Sequence, residues 1–225
     1  MTITNRTRLG GQDIATTSRG AVDFAGHRAR YMVELPAQFG GTGGSIMQIV
    51  VGETLYMSLP QQPEVYFELA SKDLVGTALG SSLDPASGLD LVSTRTDVRE
   101  VGPEPTAGKG AGRFEATLDV AKTLEEASGD AKAVLRQSFA QLGATRVPMI
   151  VVLDEQGRIV RFQQDYELPG GGTSTNLVEF SAFGAPVDVQ APPADQVRDG
   201  GELLAAIRVP PGGRGTGPTT APSPS

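Results

Sequence analysis

The stretch VPMIVVLDEQGRIVRFQQDYEL, residues 147–168, sets the terms of the fold. Two runs rich in Val and Ile flank Glu155-Gln156-Gly157, which reads as a strong β-hairpin. Toward the N-terminus, residues 2–9, 13–24 and 28–36 alternate polar and apolar positions, with Gly10-Gly11 and Ala25-Gly26 between them. Period-two alternation broken by glycine predicts a meander of half-buried strands. IMQIVVGETLYMSL (46–59) places Gly52-Glu53 between two apolar runs, a second hairpin signal, and EVYFEL (64–69) adds a strand. TDVREV (96–101) and RFEATLDV (113–120) read as strands around a Pro- and Gly-rich loop. After GGG (170–172), FSAFGAPVDVQAPPADQV (180–197) reads as a strand, a turn, a short strand and a proline stop. Pro186 and Pro192-Pro193 offer no N–H donors, so this closing hairpin is expected at a sheet edge.

Helical spacing enters mid-chain. In DLVGTALGSSLD (73–84), Leu74, Val75, Ala78, Leu79 and Leu83 recur at helical intervals, and Asp84-Pro85 opens a second short helix over 86–92. DAKAVLRQSFAQLG (130–143) is the strongest helix, with Gly143 where a C′ glycine belongs. About eight to ten antiparallel strands with inserted helices define an α+β chain built on one large sheet. One domain is expected over 1–207, and the Pro/Gly/Ser/Thr tail 208–225 cannot bury enough surface to fold.

Composition narrows function. Net charge is −7 with no run of Lys and Arg, which excludes a general nucleic-acid partner. Cysteine is absent and His27 is the single histidine, so no metal site is expected. GPEPTAGKG (102–110) misses the spacing of a phosphate loop, and no G-x-S-x-G elbow occurs. Neither a catalytic residue nor a cofactor is assigned. No apolar run reaches 18 residues. The alternation that begins at residue 2 leads us to expect chain upstream of Met1.

What the pattern leaves over is apolar surface. Met47, Ile49, Val51, Leu55, Met57, Val65, Phe67 and Leu69 come from consecutive strands, followed by leucines of the inserted helices. A filled core accounts for this, and so does a cavity for an apolar ligand, to which Met and Leu without Trp bring adaptable walls.

The order of these elements resembles the actinobacterial LppX/LprG-type lipoproteins, a LolA-like group of lipid and lipoprotein carriers. IVVGETLYMSLP, EVYFEL, VPMIVVLDEQGRIVRFQ and NLVEFSAFGAPVDVQAPPADQV carry the resemblance, over roughly residues 2–197. It implies a single strongly curved antiparallel sheet, a half-barrel, with helices covering the concave side. It also implies a monomeric, non-enzymatic envelope lipoprotein at the extracytoplasmic face of the plasma membrane, binding the acyl chains of a lipid or glycolipid. The family's signal peptide, lipid-anchor cysteine and first helix are missing from this chain, and the resemblance places them upstream, with membrane-surface association through that anchor. The expected lining residues are Met47, Ile49, Met57, Phe67, Leu74, Leu79, Val92 and Val151. The alternative is an envelope protein-interaction or sensor module on the same fold without a ligand.

Overall fold

The computed structural model describes residues 1–36, 43–74, 95–127, 132, 135–136, 139–140, 143–168 and 171–208. The strands are β1 (Thr2–Leu9), β2 (Gln12–Asp23), β3 (Arg28–Leu35), β4 (Gly44–Val51), β5 (Thr54–Leu59), β6 (Gln62–Ala70), β7 (Arg95–Pro103), β8 (Gly112–Asp119), β9 (Arg146–Leu153), β10 (Ile159–Leu168), β11 (Gly172–Glu179) and β12 (Val197–Asp199). They form one open sheet in the order β12-β6-β5-β4-β3-β2-β1-β11-β10-β9-β8-β7. The described helical segments are α1 (Ser71–Leu74), α2 (Val120–Glu126) and α3 (Gly201–Arg208).

The turn chemistry explains the meanders. Val51 pairs with Thr54 across Gly52-Glu53, and Gly52 sits at φ 60°, the left-handed region such a two-residue loop requires. In the β9–β10 turn, the Asp154 carboxylate accepts from the backbone N–H groups of Gln156 and Arg158 and from Arg158 Nε. Lys132, Leu135, Arg136, Phe139 and Ala140 are helical, as the 130–143 pattern predicts. Gly143 N–H donates to Ala140 O and Ala144 N–H to Phe139 O, with Gly143 at φ 63°, which is a Schellman termination. Helix α2 continues directly from β8, with the Asp119 side chain accepting from Lys122 N–H at its N-terminus.

Two sequence expectations are corrected. Residues 180–193 form no hairpin: β11 ends at Glu179 and lies inside the sheet between β1 and β10. Prolines at 186, 192 and 193 cannot donate to a ladder, so the segment runs on without a strand partner. It reaches the far edge, where β12 pairs in parallel with β6 through Val197–Tyr66 and Asp199–Glu68. The sheet is therefore mixed rather than wholly antiparallel, and β7 and β12 are its edges. Helix α3 then follows in a stretch where no helix was expected. The second helix expected over 86–92, and all of 73–84 beyond Leu74, lie outside the described residues.

One face of this sheet is apolar. Register partners run Val22–Ala29–Val50–Leu55–Leu69 on one side of the molecule and Ile3–Val178–Phe162–Val151 on the other. Ile3 pairs with Ser18 and Ser18 with Val33, so strict alternation puts both rows on the same face. Around them form two core clusters, one on β8–β11 with Phe139 and Val120, the other on β3–β6 with Leu74. Leu203 and Leu204 of α3 pack on the second, and Met1 touches both.

Candidate functional site

The candidate site is the middle of that face, where β1 joins the two meanders. Along β1, β11 and β10, beside the first cluster, the surface turns polar without turning charged. Asn5, Asn176 and Gln164 are register partners across β1, β11 and β10. One row further, Thr7, Ser174 and Tyr166 are partners across the same strands. Asn176 Nδ2 donates to Asn5 Oδ1 at 2.6 Å, and the Thr7 and Ser174 hydroxyls share a hydrogen bond of 3.1 Å.

Gln164 is the unusual member. It is 5% exposed, and its Nε2 donates to Met149 Sδ at 4.0 Å. Gln48, on β4 beside the other cluster, is 6% exposed and donates to Met57 Sδ at 3.9 Å. Burial pushes the Tyr166 phenol up to about 12, which keeps its hydroxyl neutral and able to donate.

On these middle strands the charged side chains take the opposite face. Arg6 and Arg8 bind Asp13 there, holding its carboxyl down at about 2 through the hydrogen bonds they donate. Arg19 pairs with Glu34, and Arg161 with Glu179 at 3.4 Å. Asp165 accepts from Thr175 Oγ1 and Gln163 Nε2 on the same side. Among the described residues of these strands, this face therefore offers hydroxyls and amides as donors and acceptors. Among the described residues, no group of three or more His, Asp or Glu is placed to hold a metal ion.

The sequence-derived lining residues divide. Met57, Phe67, Leu74 and Val151 belong to the apolar face, with Met57, Leu74 and Val151 buried and Phe67 partly so. Met47 and Ile49 pair with Met32, Arg30 and Tyr56 on the charged face. Arg30 Nε donates to Met47 Sδ at 3.4 Å. Leu79 and Val92 lie outside the described residues. Two clefts occur elsewhere, and neither contains any of the eight. One of about 660 Å³ opens at the β6–β12 edge beside Tyr56, Glu68, Asp199 and Leu204. Burial, and then Glu68, raise the pKa of Tyr56 there. The other, about 720 Å³, lies between Lys109 and the Asp154–Arg161 region, where the Arg158 guanidinium stands 4.4 Å from the Phe183 ring centre.

The polar strip escaped the sequence reading, although TITNRTRL holds the signal. Ile3, Asn5, Thr7 and Leu9 share one parity with no charge, whereas Arg6 and Arg8 take the other. An uncharged parity that mixes apolar and amide side chains is ambiguous until the neighbouring strands are known.

No family model and no curated protein matches the chain. Among solved structures it is similar to LprF from Mycobacterium bovis, with TM-score 0.45, 14% identity, and 85% of this chain and 89% of that chain covered. It is likewise similar to the Mycobacterium tuberculosis lipoprotein LppX, with TM-score 0.44, 14% identity, and 84% and 89% covered.

Proposed function

We propose that this protein is a non-enzymatic lipid carrier of the cell envelope, acting at the extracytoplasmic face of the plasma membrane. In this reading it holds the acyl chains of a lipid or glycolipid against the apolar face of its sheet. The carrying observation is that both hydrophobic clusters sit on one face of a single twelve-stranded open sheet. Open sheets of more than about ten strands curl, and curling toward the apolar face makes a half-barrel with that face inside. Each methylene transferred from water to such a surface contributes about 0.8 kcal/mol, so two long chains suffice for tight binding. Met57, Phe67, Leu74 and Val151 are the chain-contacting residues in this proposal.

A second reading, a protein-interaction or sensor module without a ligand, draws on the burial already present. Leu55, Leu74 and Phe162 are almost completely covered by the protein itself. Native mass spectrometry of protein produced in a lipid-containing host separates the two. Co-purifying acylated species are expected for the carrier. A clean apo mass together with no binding of a fluorescent fatty acid would sink it and leave the module.

A further inference from the structure

We infer that β12 and α3 form a latch at the edge of the sheet, and that the ligand's acyl chain enters and leaves the apolar face through the cleft beside it. The inference rests on the carrier reading above and adds to it the port and the part that moves.

Position comes first. β6 is the last long strand on its side of the sheet, and only the three residues of β12 lie beyond it. The cleft of about 660 Å³ opens there, with Leu69 and Ala70 on the sheet side and Val197, Asp199 and Leu204 on the latch side. Leu69, 2% exposed, belongs to the second apolar cluster, and Leu204 packs on that cluster. Cleft and cluster therefore share these two leucines, which puts the cleft at the cluster's outer end. The other cleft touches the first cluster through Phe180, but its sheet walls are β10 and β11, each paired on both sides.

The fastening is the second observation. Three register pairs, from Val197–Tyr66 to Asp199–Glu68, hold β12, and they are parallel, the weaker pairing per residue. Gly200 N–H then donates to Glu68 O at 3.1 Å, and Gly201 N–H to Asp199 Oδ1 at 2.9 Å, so β12 and α3 are joined as one piece. Leu203 and Leu204 of α3 turn toward the cluster, whereas Glu202 and Ala205 are exposed. Upstream, Val189 is buried and accepts from Arg28, which keeps the crossing span in place while the latch lifts. Elements held by few backbone bonds and little buried apolar surface open first, and such elements serve as lids.

The test uses the full chain, in which cysteine is absent, so an engineered bridge is unambiguous. Glu68→Cys and Asp199→Cys are combined on one register pair, because strands about 4.8 Å apart fall within the Cα spacing of a disulfide. Oxidation pins β12 to β6, and reduction releases it. Stopped-flow uptake of a pyrene-labelled alkane is expected to slow about tenfold or more on oxidation and to recover on reduction. Equilibrium affinity should match in the two states, since a latch sets rates and not the final complex. Leu204→Ser, which weakens the latch contact, should speed release of the probe. Equal uptake rates in the two states, with the bridge verified by mass, overturn this inference and leave the carrier reading standing. So does release from Leu204→Ser at the wild-type rate. Failure of wild type to bind any alkyl probe overturns the carrier reading and this inference with it.

Discussion

Asp154 shows how one side chain can fix a turn and report its own charge. Its partial burial pushes the carboxyl pKa up, but hydrogen bonds from the Arg158 backbone and guanidinium and from the Gln156 backbone outweigh this and hold it below the ordinary value. A carboxyl depressed on folding adds stability that is present above its unfolded pKa, about 4, and lost as pH falls through the folded value. Asp154→Asn keeps an acceptor for the backbone and removes the charge facing Arg158. Chemical denaturation should show a lower midpoint for Asp154→Asn at pH 7, with the gap to wild type closing below about pH 4. A gap that persists unchanged at low pH would count against the charge as its source. At the same scale, the strand phase of IMQIVV was not legible in the sequence. Met47, Ile49 and Val51 form an unbroken apolar parity, whereas Ile46, Gln48 and Val50 are interrupted by an amide. The cluster nevertheless takes the interrupted set, because Val50 and Gln48 oppose Leu55 and Met57. Polar residues placed on an apolar face mislead alternation, and here they belong to the face on which the proposed site lies.

The element that departs most from expectation is the span 180–193. Its alternation is that of a strand, and the sequence contains nothing that distinguishes pairing from crossing. From β11 to β12 it passes six intervening strands, roughly 34 Å at 4.8 Å per step, and fourteen extended residues reach about 46 Å. It is fastened as it goes: Phe180 meets Phe24 at the end of β2, and Arg28 Nη1 donates to Val189 O at 3.2 Å. Val189 is itself 3% exposed. Replacing it with Ser removes two buried methyl groups and buries a hydroxyl in their place, with an expected loss of about 2 kcal/mol. Limited proteolysis should then cut the variant within 180–193, where wild type resists. An unchanged denaturation midpoint with no new cleavage would show that the span is not held by Val189. The hairpins at 52–53 and 154–158, by contrast, were readable because glycine and Asx turns act locally. The crossing was not, since its partners Arg28 and Phe24 are 161 and 156 residues away.

At the scale of the molecule, β1 decides whether there is one sheet or two. β2–β6 and β7–β11 are separate meanders, and β1 is the strand paired to both, in register from Thr2 with Glu179 to Arg8 with Thr173. That ladder joins residues some 170 positions apart, with Asn5–Asn176 bonded across it. Closing so long a loop precedes any gain from the pairing, which slows folding toward the millisecond-to-second range of non-local β topologies. Removing β1 exposes two strand edges, on β2 and β11, at the centre of the sheet, and bare edges recruit other chains. A variant lacking residues 1–9 is therefore expected to lose its single cooperative unfolding transition and to associate in size-exclusion chromatography. A labelled peptide of residues 1–9 should bind it and restore the monomer peak, because both neighbouring ladders await the same strand. If the shortened chain unfolds in one transition at the wild-type midpoint, the meanders join through 180–199 and the helices instead. The Asn5–Asn176 bond would then be a contact that the sheet does not need for its own unity.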